Sequence, residues 1–426
     1  MAGLIRREDF QALSDRSFRR LYAARTASVL GNAIAPVALA FAVLEMPGGS
    51  ATKLGLVLLV RQVAQLIFLL VGGVIADRLP RNKVMVGSDL MAGLGQVAIA
   101  SLFIRHTSNL APILALSFVT GAAPGLFIPA SMGLVPQLVA KERLQSANAL
   151  LRFTMNSSTI LGAAIAGVLI TTVGAGWALG VDAASFLLSA ALLVRIRIPH
   201  PGQLPRTSMI GDLKDGWHEF SSRQWAWVIV LQFSVSNACY NGGINVLGPL
   251  VAKDHLGGAV AWSAFSAARG VGLLGGSVVA MRVRSRRPLR AATLATFGFV
   301  PAFFVFAAAA PIWLVVVSAL LIGVCLDIFT VLWDTALQTH IPQEALSRVG
   351  AYDALGSAAL GPLGVAAAGP AAATFGVTPA LVAGGILTAL ANGGALLSPE
   401  VRNLPAERDE VKNSRSGGGR IRTSEG

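Results

Sequence analysis

Three aspartates, Asp89, Asp182 and Asp327, and two arginines, Arg61 and Arg269, stand inside stretches that are otherwise almost wholly apolar. An ionisable side chain in such a stretch is costly to keep, so it is by default a candidate for handling an ion or a charged ligand. Asp327 lies deepest in its segment and Asp89 lies two helical turns beyond a charged turn. These two are the candidates for proton coupling, with pairing to the arginines of that turn as the plain alternative for Asp89. Asp182, near the end of its segment, reads as structural. Arg61 and Arg269 are candidates to answer Asp327 or an anionic ligand, against the simpler reading that each runs along its alkyl stem to an interface. Amides form a second pattern. Asn237, Asn241 and Asn245 recur every four residues, so a helix sets them on one face. Gly242 and Gly243 lie among them and can loosen that helix. Arg25, Ser28 and Asn32 make a similar stripe. Such faces offer hydrogen bonds without fixed charge, the chemistry of a polar cavity for a small molecule.

The elements that carry these residues follow from composition. Of 426 residues, 54% are hydrophobic and only 13% charged, with a mean hydropathy of +0.66. Soluble chains carry about 25% charged residues. Apolar runs of roughly 20 residues are long enough for helices to cross hydrocarbon, and only hydrogen-bonded helices or closed barrels can do so. The runs are too long for barrel strands, so the fold class expected is an all-α integral membrane protein. About twelve transmembrane helices are expected, near 21–44, 54–76, 83–104, 110–133, 147–172, 177–197, 225–251, 261–281, 289–309, 311–333, 350–373 and 377–398.

The net charge of +13 would suggest nucleic acid in a soluble protein. Here the basic residues sit in short turns, and no nucleic-acid partner is expected. They concentrate in alternate turns: Arg78, Arg81 and Lys83 in the second, Lys141 and Arg143 in the fourth, Arg206, Lys214 and Arg223 in the sixth, "RVRSRRPLR" in the eighth. The positive-inside bias puts those turns and both termini in the cytoplasm of a multi-pass cell-membrane protein. The basic leading segment is read as a retained signal anchor. The sixth turn, with "PHPGQLPRTS" and an amphipathic piece after it, splits the chain. The expected domains are a six-helix bundle over 1–198, a surface linker over 199–224, a second bundle over 225–399 and a disordered tail over 400–426.

A plan of six spans plus six predicts self-similarity, and an offset of 202 residues reveals it. "VAKERLQSANA" falls on "IPQEALSRVGA"; Gly121, Gly162 and Gly167 fall on Gly323, Gly364 and Gly369; "TVG" at 172–174 falls on "TFG" at 374–376. Each half has an even number of spans, so the two run parallel, one of the known transporter plans.

"GGVIADRLPRNK" resembles the signature turn between the second and third helices of the major facilitator superfamily. Gly73, Asp77, Arg78 and Arg81 match the pattern; Pro80 stands where glycine is usual and Asn82 where a basic residue is common. The fourth and tenth turns are similar to those of a branch containing siderophore and macrolide exporters. The resemblance implies alternating access by two rocking halves and a gating role for Gly73, Asp77, Arg78 and Arg81. Asp77 would meet the positively polarised start of span 11, expected near Gly350, and hold one side shut. It implies an exporter of small amphipathic molecules driven by protons, acting as a monomer in the lipid bilayer, with an importer or uniporter of a small metabolite as the alternative. Asn32 stands where relatives often carry an acid, and Ala163 where the exporter pattern in span 5 has proline. Asn32, Arg61, Asn237, Asn241, Asn245 and Arg269 are the candidates for lining the substrate cavity.

An enzyme reading is poor, because all five histidines fall in or beside turns and none forms an HExxH site. No phosphate-loop motif is present for a nucleotide-driven pump. No cofactor or metal is expected. Cys239 and Cys325 sit in apolar segments and read as packing residues.

Overall fold

The computed structural model of the chain describes residues 13–106, 109–140, 143–196, 217–280, 282 and 285–406. Among these, every regular element is helical. Spans 1 to 6 are Arg16–Glu45, Ala51–Arg78, Arg81–Ile104, Leu110–Leu138, Leu144–Val173 and Ala175–Leu193. Span 7 runs as Gln224–Cys239, a π-helical piece Tyr240–Leu247, and Gly248–His255. Span 8 is Ala259–Ala280. Span 9 is Pro288–Thr296 and Val300–Ala307 around a short 3₁₀ turn. Span 10 is Ile312–His340, span 11 is Gln343–Ala359 followed by Gly361–Phe375, and span 12 is Val377–Leu397. Eleven helices among the described residues are each long and apolar enough to cross a membrane. Span 7 is the twelfth and is broken by its own π-helical insert.

The helix ends follow local chemistry. Asp15 accepts from the Ser17 and Phe18 amides at 2.8 and 3.1 Å and starts span 1; Ser50 accepts from the Lys53 amide and starts span 2. Both satisfy amides that a helix start leaves without partners. Span 2 stops beside Pro80, whose ring disfavours helix at the preceding residue. Gly174 and Gly376 join spans 5–6 and 11–12 with the same dihedrals, φ +93° and ψ 159°, where a side chain would be strained. They are 202 positions apart, so the repeat read in the sequence is also a repeat of backbone shape.

Several expected bounds shift. Span 10 continues to His340 rather than ending at 333. Span 11 begins at Gln343, not near Gly350, because Pro342 is suited to a helix entry and the helix starts directly after it. It then breaks at Leu360, where Pro362 cannot complete the ladder. The expected disordered tail from 400 is corrected for its first residues. Pro399–Asn403 is a helix, Val401 is fully buried, and Glu400 Oε2 accepts from the Trp225 amide at 2.9 Å. A carboxylate is favoured at that helix start. Residues 407–426 and most of the expected linker, 199–216, lie outside the described residues.

The core divides unequally along the bundle axis. At the end holding the odd-numbered turns, residues of both halves share one buried cluster: Phe41, Leu44 and Leu54 with Ile244, Trp262, Phe265, Phe303 and Phe306. At the end holding the Leu79–Pro80 turn, hereafter the motif end, there are two separate clusters. One is built on Phe18, Leu21, Met85, Leu134 and Leu193, the other on Trp225, Ile229, Phe329, Trp333 and Val349. Each draws only on its own half. The halves meet along two seams, span 2 with span 11 and span 5 with span 8. Gly369 abuts Thr52 in the first, and a Cβ on Gly167 would lie 2.8 Å from Ser263 Oγ in the second. These glycines are another pair at the 202-residue offset, and small residues there let helices approach closely.

Candidate functional site

Where the shared core gives way to the two separate ones, polar side chains of both halves converge. Span 7 supplies a ladder. Asn237 Nδ2 donates to the Ser357 carbonyl at 3.2 Å, Asn241 Nδ2 to Asn237 Oδ1 at 2.9 Å, and Asn245 Nδ2 to Asn241 Oδ1 at 3.0 Å. The π-helical piece begins inside this ladder, and Gly242 packs directly on Gly364 of span 11. Such an insertion re-aims side chains within a helix. The loosening expected from Gly242 and Gly243 occurs there. Span 2 reaches the same place: a Cβ on Gly361 would lie 3.6 Å from Gln62 Oε1 and 3.8 Å from Asn241 Nδ2. Asn32 of span 1 is exposed, and the three asparagines of span 7 are half-buried.

The ladder leads to a carboxylate absent from the sequence-derived candidates. Ser357 Oγ donates to Asp353 Oδ1 at 3.2 Å and Trp333 Nε1 donates to Asp353 Oδ2 at 3.1 Å. Aromatic rings stand behind it: Phe233 stacks on Phe329 at 4.7 Å, and Phe329 on Trp333 at 6.5 Å. Asp353 and Ser357 are one helical turn apart, a readable pairing. It escapes the sequence reading because Asp353 lies close to the expected start of span 11. Gln62 offers no pattern at all.

The other charged residues sort by half. In the first, Asp89 is buried and its cationic neighbour is Arg25 of span 1. Asp89 sits inside the bundle, facing Ser189 of span 6 and the charge of Arg25; of the turn's arginines, Arg78 lies outside the described side chains. Arg25 also donates to Ser131 Oγ and lies 5.8 Å from the Phe127 ring centroid. Arg61 has Asp182 of span 6 as its neighbouring charge, not Asp327. Asp182 is 1% exposed and presses against Gly31, where a Cβ would lie 2.8 Å from its Oδ1. In the second half, Asp327 accepts from Ser277 Oγ at 2.8 Å in the contact of spans 8 and 10. The Arg269 guanidinium lies 5.9 Å from the Tyr240 ring centroid.

Of the expected gating residues, Gly73, Asp77 and Arg78 lie outside the described side chains, while Arg81 opens span 3 and is partly buried. Gly72, beside Gly73, abuts the Gly125 carbonyl of span 4. At the opposite end, Lys253 of span 7 crosses between halves and donates to the Leu44 carbonyl of span 1 at 2.6 Å. Its charge also faces Glu45.

Comparison with known proteins places this arrangement. A family model described as Major Facilitator Superfamily matches residues 21–365. The enterobactin exporter EntS of Citrobacter koseri is 27% identical over 362 residues, covering 82% of this chain and 85% of the relative. The MFS-type transporter YkuC of Bacillus subtilis is 27% identical over 327 residues, covering 73% and 75%. The crystal structure of the nucleoside transporter NupG superposes with a TM-score of 0.70 at 12% identity, covering 90% of this chain and 98% of that one. A bacterial homolog of the human lysosomal transporter Spinster, inward-facing and unoccupied, gives 0.67 at 12% identity, covering 92% and 98%. At such identities these two likenesses concern the fold alone.

Proposed function

The chain belongs to the Major Facilitator Superfamily and is a multi-pass membrane transporter; from that premise we propose that it is a proton-coupled exporter of small amphipathic molecules working by alternating access. The observation that carries this reading is the unequal core, one cluster at one end and two at the other, with the Gln62–Asn241–Asp353 polar path at the junction. Two bundles packed separately at the motif end would admit a solute between them. Rocking about the span 2–11 and span 5–8 seams would expose the same polar path to the opposite end. On the charge pattern of the turns, the motif end and both termini face the cytoplasm of the cell membrane.

In this cycle Asp77, with Gly73, Arg78 and Arg81, would hold the motif end closed when the opposite end opens. The coupling acid is Asp327 or Asp353. Asp327 has a single hydroxyl donor, whereas Asp353 has two donors and adjoins the asparagine ladder. An acid reached by the cleft can exchange its proton with substrate, the charge bookkeeping that antiport requires. The similarity to an enterobactin exporter supports the export direction.

Efflux of a fluorescent dye from energised, substrate-loaded vesicles tests this reading. An uncoupler is expected to stop efflux, and Asp353→Asn or Asp327→Asn is expected to remove the pH dependence while insertion remains normal. Efflux indifferent to the proton gradient would remove the antiport mechanism, and inward accumulation would favour an importer.

A further inference from the structure

The two halves carry one arginine each at the same structural position and treat it differently. Gly121 of span 4 packs on the Arg61 carbonyl of span 2, and Gly323 of span 10 packs on the Arg269 carbonyl of span 8. Gly121 and Gly323 are a pair at the 202-residue offset, so the two arginines are counterparts. Arg61 faces the buried carboxylate of Asp182 beyond ion-pair distance, and its Nη1 is buried without a hydrogen-bond partner. The same offset sets Gly384 where Asp182 stands. The vacated volume is filled by the Phe303 ring, which a Cβ on Gly384 would meet at 3.0 Å and one on Gly243 at 2.7 Å. The second half has thus exchanged a carboxylate for a phenyl ring and kept the cation.

Arg269 is left half-exposed. Among the described residues no carboxylate lies within 4.0 Å of it and its guanidinium makes no hydrogen bond; only the Tyr240 ring stands by. Tyr240 lies in the π-helical piece adjoining Asn241, and its own hydroxyl is buried without a partner. A guanidinium in a bilayer-spanning bundle that is not matched by protein charge is costly unless something else answers it. Its planar donors suit a carboxylate or phosphate.

We propose that Arg269, with the Tyr240 hydroxyl, binds an anionic oxygen group of the transported molecule. The site therefore favours amphipathic anions over cations of the same ring system. This rests on the transporter reading above and adds the charge of its substrate.

The test uses full-length protein in nanodiscs and two xanthene dyes of opposite charge, carboxyfluorescein and rhodamine 6G, followed by fluorescence polarisation. Wild type is expected to bind carboxyfluorescein the more tightly. Arg269→Gln is expected to weaken that binding about tenfold or more, and Arg269→Lys by less than about threefold, with rhodamine binding unchanged. Gly384→Asp combined with Phe303→Ala restores the first half's carboxylate and is expected to weaken carboxyfluorescein binding with Arg269 intact. Wild type without an anionic preference, Arg269→Gln with undiminished carboxyfluorescein affinity, or both dyes weakening together would overturn the proposal. Proton-driven efflux of rhodamine 6G would leave the transport reading standing in any of these cases.

Discussion

At one end of the bundle the spans of both halves share a single buried core, reinforced by Lys253 reaching across to the Leu44 carbonyl. At the motif end each half closes on its own side chains. The difference lies in what the interfaces are made of. The closed end is knit by large apolar groups from both halves, Phe41, Trp262, Phe265, Phe303 and Phe306 among them. At the motif end the buried apolar groups of each half pack within that half, and Arg143 donates to Ser14 Oγ of its own half at 3.0 Å. Two bundles that bury their apolar groups separately can part without exposing them to water. A transporter needs both kinds of end: a firm closure in each state, and a pivot between them.

This contrast can be attacked in order of expected effect. The largest concerns the frame of the first half. Arg61→Ala leaves Asp182 buried with no cation facing it, and a loss of about 3 kcal/mol is expected. A fall in melting temperature and in membrane yield would register it, while the double change Arg61→Met/Asp182→Leu should recover most of the loss. Next come the seams. Gly167→Leu forces a side chain into Ser263, and overpacking of this kind costs about 1–3 kcal/mol. The span 5–8 contact should loosen, read as faster hydrogen exchange in both spans with transport reduced. The closed end is subtler. Lys253→Met removes one charge-assisted bond, about 1.5 kcal/mol, and should increase labelling of a cysteine at the buried position 46 several-fold. Unchanged labelling would mean that the apolar cluster alone holds that end. The smallest effect is expected in the polar path: Asn241→Leu should raise the apparent KM for dye efflux a few-fold, with maximal rate and insertion near wild type.

Much of the fold is legible because a membrane writes its demands into composition. Apolar length gives the spans, and the 202-residue offset recurs in the Gly174 and Gly376 turns, the Gly167 and Gly369 seams and the Gly121 and Gly323 contacts. What escapes is pairing between remote residues. Nothing near Arg61 names Asp182 as its partner, since they sit on different spans and no spacing rule joins them. Asp89 reads in sequence against the charges of the adjacent turn, whereas in the fold Arg25 is its cationic neighbour. Asp353 is hidden by a misplaced helix start, and Lys253 looks like one loop lysine among many. Helical spacing reports what shares a face; it does not report which face another helix will present.

The central claim is that this chain is closed at one end and parted at the other, and that these states exchange. Double electron–electron resonance between spin labels at exposed positions measures it directly, with Leu79 and Gln338 across the motif end and Pro47 and Asp254 across the opposite end. In unloaded protein the account predicts a long, broad separation at the motif end and a short one opposite, with the two changing in opposite senses when substrate and a proton gradient are supplied. Separations that lengthen and shorten together, or a motif end that is short at rest, would contradict it.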